Sequence, residues 1–187
     1  MNFKKILFLF LALLLPAAVF IFLKLFGKNE FAVPPLFQDV VEVHAGCESF
    51  AYHTPYVIHD SVLSTLSWSR NDSITLVVFE DALEENKKKI STQVNRIFTE
   101  FPTEKVHFFS HFEEFSTEKE LPHSRVSILK INNNQFSTFK NCIFLLKPSD
   151  NVVMIDSKRR IKGQYNLLDL EDADRLMTEM KIILKKY

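Results

Sequence analysis

Residues 151–166 read Asn-Val-Val-Met-Ile-Asp-Ser-Lys-Arg-Arg-Ile-Lys-Gly-Gln-Tyr-Asn, and residues 167–187 continue Leu-Leu-Asp-Leu-Glu-Asp-Ala-Asp-Arg-Leu-Met-Thr-Glu-Met-Lys-Ile-Ile-Leu-Lys-Lys-Tyr. Two short β-branched runs, 151–156 and 160–165, are separated only by Ser157-Lys158-Arg159, a spacing that predicts an antiparallel hairpin. A helix follows. Asp169 is placed to cap it, Glu171, Asp172 and Asp174 fall near the positive end of its dipole, and Lys181, Lys185 and Lys186 near the negative end. Ala173, Leu176, Met177, Met180 and Leu184 recur at helical spacing and form a face that must cover a sheet or another helix.

Upstream of this pair, Ser-Ile-Thr-Leu-Val-Val-Phe (73–79) has the composition of a strand buried on both faces. Between residues 83 and 101, Ile90, Val94, Ile97, Phe98 and Phe101 keep a helical period, with Glu84 and Glu85 in the first turn and Pro102 just past the end. Segments 106–110 and 125–131 read as further strands, separated by the charged stretch 113–120 and Leu121-Pro122. Tyr52 to Ile58 reads as a short extended run and Asn132-Asn133-Asn134 as a turn. Strand, helix, strand, connecting segment, hairpin and terminal helix follow the thioredoxin order. The expected class is therefore α/β, a mixed sheet flanked by helices on both faces.

The other end of the chain is of a different kind. Ile6 to Leu23 is uncharged throughout, with Lys4 and Lys5 before it and Lys24 and Lys28 after it. Phe3 to Phe26 supplies the roughly 20 apolar residues that crossing about 30 Å of hydrocarbon requires, once the lysines extend to the interface. The run is longer than the apolar core of a cleaved signal peptide, and Ala17-Ala18 lead into Val-Phe-Ile-Phe-Leu, not into a polar stretch. We read it as one N-terminal transmembrane helix that tolerates Pro16. Flanking charges nearly cancel as a topology signal, and the N-terminus is read as inside. The expected organisation is a membrane anchor over 1–28, a stalk over 29–50 that packs on the domain through Phe31, Val33, Leu36 and Phe37, and one domain over 51–187.

Composition excludes several functions. The whole chain of 187 residues balances 23 basic against 23 acidic side chains, and beyond residue 30 the balance falls to 19 against 22. Its short basic runs, Lys87-Lys88-Lys89 and Lys158-Arg159-Arg160, are isolated, so no nucleic-acid partner is expected. Only three glycines occur, at 27, 46 and 163, and no phosphate-cradling loop can be built around them. No nucleophile, base and orienting group can be named together, which points to a non-enzymatic role.

The stretch NVVMIDSKRRIKGQYN with the acidic start and Asp-Arg-Leu step of the next helix resembles the end of the SCO/SenC family. There a hydrophobic-Val/Ile-Asp-x-x-x-Arg-Ile-x-Gly-x-Tyr hairpin precedes such a helix. The anchor and Thr54-Pro-Tyr-Val-Ile-His-Asp-Ser are similar to the membrane-anchored members as well. The resemblance implies a single-pass protein of a bacterial inner membrane with its C-terminal domain in the periplasm. It also implies a thioredoxin-like structure and copper handling, assembly of the copper centre of cytochrome c oxidase, or thiol redox work. Copper-binding members carry Cys-x-x-x-Cys where the first core strand meets its helix, since two thiolates there suit a soft cuprous ion. Here that junction is Phe79-Glu80-Asp81-Ala82-Leu83-Glu84-Glu85. The family's histidine before the hairpin is also missing, Lys147-Pro148-Ser149-Asp150 standing in its window, where Pro148 could take the place of a cis-proline. The expectation is a family relative without the copper or redox motif, with no cofactor, acting on a protein partner such as an assembling respiratory complex.

Cys47 and Cys142, the only two cysteines, leave three alternatives: a structural disulfide, buried unlinked thiols, or a thiol redox or copper-handling pair. His44, His53 and His59 lie near Cys47 in sequence but match no known ligand spacing, and solvated or core side chains are the plainer reading. His107 and His111 would share one face of a strand. Glu80, Asp81, Glu84 and Glu85 could hold a hard cation or simply satisfy the helix dipole, and the dipole is favoured.

Overall fold

A computed structural model describes residues 3–26, 32–65, 68, 72–80, 83–110 and 126–185. The chain divides into two compact units, Met1–Ala32 and Val33–Tyr187. In the first, helix α1 (Phe3–Phe26) runs 24 residues with Pro16 inside and Lys24 in the last turn. Such a helix is about 36 Å long. Its described large side chains, Phe10, Leu14, Leu15, Phe20, Ile21 and Phe22 among them, are exposed. Among the described residues no helix is long and apolar enough to cross a membrane, so the expected transmembrane helix is not found there.

The second unit is built on a five-stranded sheet in the order β3-β2-β1-β4-β5, formed by β1 (Ile74–Phe79), β2 (Lys105–Ser110), β3 (Val126–Lys130), β4 (Val152–Asp156) and β5 (Ile161–Tyr165). β1 pairs in parallel with β2 and β2 with β3, while β4 runs antiparallel to both β1 and β5. Helix α3 (Glu84–Glu100) makes the crossover that a parallel β1–β2 pair needs, and α5 (Leu170–Leu184) follows the hairpin. This is the mixed α/β sheet of thioredoxin-like order that the sequence pattern predicts. β1 is central and every residue in it is buried, which accounts for a run that is apolar at every position but Thr75.

Alternation along β1 divides the core in two. Ile74, Leu76 and Val78 join Ile90, Val94 and Ile97 of α3 and Leu176 and Met180 of α5 in one cluster. Val77 and Phe79 face the other way, against Ile58, Leu63, Phe144 and Leu146. On that second face lie α2 (Asp60–Thr65), α4 (Asn133–Ser137) and a π-helical stretch, Thr138–Ile143. Asp169 caps α5 by accepting from the Glu171 N–H at 3.0 Å.

Three local expectations are corrected. Tyr52 to Ile58 forms no strand; the segment is irregular, contains the cis bond Thr54–Pro55, and is held by its tyrosine hydroxyls. The asparagine run opens a helix: the Asn132 side chain accepts from the Gln135 N–H at 2.9 Å while the Gln135 side chain accepts from the Asn132 N–H at 3.3 Å, a reciprocal cap. Thr54–Pro55 is also the only cis bond among the described residues, so Pro148 does not fill the cis-proline place. The stretch 113–122 and His111 lie outside the described residues.

The N-terminal part of the second unit straps the open side of β5. The Leu36 N–H donates to the Ile161 carbonyl at 2.8 Å, and Lys162 donates from Nζ to the Val33 carbonyl. Lys162 can reach because the β4–β5 register slips between Met154 and Ile155, which leaves Lys162 as the unmatched residue of a bulge.

Candidate functional site

The junction of β1 with α3 is where the resemblance places paired thiols, and here it is filled by a charged cluster. Phe79 ends the strand fully buried, Glu80 follows at 6 % exposure, and Leu83 precedes the helix with no side-chain cap. Lys87, one turn into α3 and equally buried, brings its ammonium 2.6 Å from Glu84 and 3.7 Å from Glu80. Its hydrogen bond to Glu84 is the main influence holding its pKa above the usual lysine value. On the outer side Lys89 pairs with Glu85 at 2.7 Å and lowers that carboxyl's pKa. Asp81 lies outside the described residues. The described acids of this junction, Glu80, Glu84 and Glu85, thus each lie beside a lysine. Among the described residues no group of three or more histidine, cysteine or carboxylate side chains could hold a metal ion.

Cys47 and Cys142 are joined as a disulfide with Cα atoms 5.3 Å apart, bridging 95 positions. Both are buried, at 1 % and 6 % exposure. Cys142 lies in the π-helical stretch, whose Phe139 and Ile143 pack on the second core cluster, whereas α3 packs on the first. The sheet therefore stands between the helix that would carry the family's thiols and the helix that carries Cys142. Around the bridge, the Tyr52 hydroxyl donates to the Cys142 carbonyl at 2.9 Å and the Tyr56 hydroxyl to the Ile143 carbonyl at 2.7 Å. Burial pushes the Tyr56 pKa up to about 12. Phe50, Tyr52, Tyr56 and Cys142 line a cavity of about 580 Å³.

The histidines do not converge with Cys47 on a ligand site. His53 and His59 are exposed, and His59 shares a 2.8 Å hydrogen bond with Ser61 through Nδ1. His44 meets Cys47 only through the backbone, its carbonyl accepting the Cys47 N–H at 3.1 Å. His107 is buried in β2 opposite Val77. In the window before β4, Lys147 to Asp150 form a turn closed by the Asp150 N–H on the Lys147 carbonyl. Nearby Gln164 donates from Nε2 to the Phe144 and Leu145 carbonyls at 3.1 and 2.7 Å.

Sequence reasoning missed a second cavity, about 500 Å³, between the strap, β5 and α5. Its polar wall is ordered by Tyr165, whose hydroxyl donates to Glu179 at 2.7 Å and whose ring lies 4.4 Å beneath the Arg175 guanidinium. Burial raises the Tyr165 pKa well above the ordinary phenol value. Arg175 is further engaged by Asp172 and by the Gln164 carbonyl. The helical and strand patterns of the sequence place Arg175 and Lys162 on different elements, and only the bulge brings them to one opening.

No protein-family model matches the chain, and no curated protein matches it. Solved structures do. A SCO1/SenC family lipoprotein from Bacillus anthracis str. Ames matches with 10 % identity and a TM-score of 0.47, over 60 % of this chain and 82 % of that one. BsSco, a member of the Sco family of cytochrome c oxidase assembly proteins in which a disulfide switch was identified, matches with 13 % identity and a TM-score of 0.48, over 63 % and 83 %. The chain is similar to SCO/SenC-family structures. The strand order carries the thioredoxin-like fold independently of these matches.

Proposed function

We propose that this chain is a membrane-anchored, thioredoxin-fold relative of the SCO/SenC proteins that works as a non-catalytic binding or assembly factor. The observation that carries the reading is the engagement of both cysteines in one buried disulfide, away from a β1–α3 junction that holds Glu80, Glu84 and Lys87 where copper-binding relatives hold thiols. In this reading α1 is the anchor, supported by its 24 residues and its exposed apolar side chains, and the domain stands in the periplasm of a bacterial inner membrane. No cofactor is used. The partner is a protein, with an assembling respiratory complex as the leading candidate.

A second reading is favoured by one feature: Cys142 lines a cavity, which gives a thiol reagent or a partner dithiol an approach to the bridge. There the Cys47–Cys142 pair would cycle, or take up copper when reduced. One experiment separates the two. A strain lacking the chain is complemented with the full-length protein or with Cys47→Ala/Cys142→Ala, and assembled oxidase and retained copper are measured on purified membranes. Restoration by the folded double variant is the result expected for a cysteine-independent factor. Failure of that variant, with stoichiometric cuprous ion on the reduced wild-type chain, would overturn it in favour of the redox or copper reading.

A further inference from the structure

The cavity between strap, β5 and α5 combines an apolar wall with two lysines, Lys162 and Lys147, that form no ion pair with a described residue. Val33, Pro34, Leu36 and Phe37 supply the wall, and Lys162 and Lys147 reach the opening from β5 and from the turn before β4. The third cation, Arg175, is satisfied by Asp172 and Glu179, with ion pairs of 2.6 and 3.3 Å. Lys162 is not. Its one hydrogen bond among the described residues goes to the Val33 carbonyl, and no described carboxylate pairs with it or with Lys147. Glu42, at the rim, is exposed. A partly buried ammonium hydrogen-bonded to a neutral carbonyl retains donors, and although the charges of Asp156 and Glu179 favour it, burial outweighs them, a cost that a bound anion would offset. Burial already depresses its pKa from the ordinary lysine value. The volume, about 500 Å³, falls in the range of small-molecule sites, which pair mostly apolar walls with a few placed polar groups.

We propose that this cavity binds an amphipathic anion, a phosphate or carboxylate head on a short apolar tail, with Lys162 and Lys147 on the head and Val33, Pro34, Leu36 and Phe37 along the tail. The site is independent of the cysteines and of the proposed partner. Phospholipid headgroups and soluble alkyl phosphates share this chemistry, whereas free phosphate has the head alone.

The test is calorimetric titration of the full-length chain in nonionic detergent with n-butyl phosphate, inorganic phosphate and n-butanol. Saturable one-to-one binding of butyl phosphate is expected, at least tenfold tighter than inorganic phosphate, with no saturation by butanol. Lys162→Met, which keeps the apolar stem, should weaken it about tenfold or more. Lys147→Met, which leaves the strap contact in place, should weaken it several-fold, and Lys158→Met at the hairpin turn should leave it unchanged. Equal affinity for inorganic phosphate would overturn the amphipathic part of the assignment. Absence of saturation, or unchanged affinity in both cavity-lysine variants, would overturn the site.

Discussion

Arg160 grips Asp156 through two nitrogens, Nε at 2.8 Å and Nη2 at 2.6 Å, both on Oδ2, while the other carboxylate oxygen accepts the Lys158 and Arg160 N–H groups at 2.9 and 3.0 Å. One aspartate thus closes the hairpin turn and orients the arginine that follows it, which gives a physical reason for an Asp-x-x-x-Arg spacing in this motif. Asp156→Ala would strand two backbone donors and a guanidinium. We expect a loss of about 2–3 kcal/mol in denaturant unfolding, and an Arg160→Lys variant, which keeps the charge but not the fork, should lose less. Equal stability of Asp156→Ala and wild type would refute this account of the turn.

The Cys47–Cys142 bridge closes a separation of 95 positions. In the chain-entropy model a loop of that size contributes about 4–5 kcal/mol, chiefly by restricting the unfolded state. The Cys47→Ala/Cys142→Ala variant should therefore melt well below the oxidised wild type. Adding reductant should lower the melting temperature of the wild type and leave the variant unmoved. A reductant effect of similar size in both would show that the bridge is not its origin.

Gly163 has no room for a side chain. A Cβ there would stand 2.0 Å from the Tyr165 hydroxyl and 2.4 Å from its ring carbon Cζ, because the ring folds back along β5 to reach Glu179. Gly163→Ala should cost about 1–3 kcal/mol as overpacking. In a Tyr165→Leu background the same alanine should cost less, so a double-mutant cycle is expected to show coupling between the two positions. Additive costs would place the strain elsewhere.

Stability should fall at high pH through tyrosine. The ordinary value of 10.0 is raised to about 12 at Tyr56, so the folded chain keeps a proton that the unfolded chain gives up. The contribution is complete below about pH 10 and is lost as pH rises towards 12, at no more than about 1.4 kcal/mol per pH unit from this group. Tyr165 acts in the same direction. Unfolding midpoints measured from pH 8 to 11.5 should be level at first and then decline, and Tyr56→Phe should flatten part of the decline. A midpoint that rises above pH 10 would contradict both shifts.

The elements read correctly from sequence are those whose burial imposes a period. β1 is apolar at all positions but Thr75 because it is covered on both faces, and α3 and α5 repeat their apolar residues because each presents one face to the same cluster. Asn132 was misread because asparagine serves turns and helix caps equally, and only the reciprocal bond with Gln135 decides between them. Tyr52 to Ile58 departs from the strand pattern for another reason: its two tyrosines bond the π-helical stretch through their hydroxyls, Tyr56 and Ile58 donate backbone N–H groups to Phe37 and Arg159, and Ile58 is buried in the second core cluster. Val33, Leu36 and Phe37 are legible in the sequence as packing residues of the stalk, but the lysine-lined cavity they wall is not. It depends on a register slip at Lys162 and on a backbone bond from Leu36 to Ile161, neither of which has a compositional signature.

That bond from Leu36 also determines where the protein can safely be cut. A strand with a bare flank is a template on which a second molecule can add its own backbone, and the Val33–Leu36 segment is what covers that flank of β5. A fragment begun before Val33 takes its own guard with it. One begun a few residues later, although it keeps every helix and strand of the sheet domain, would offer β5 to its neighbours and accumulate as aggregate.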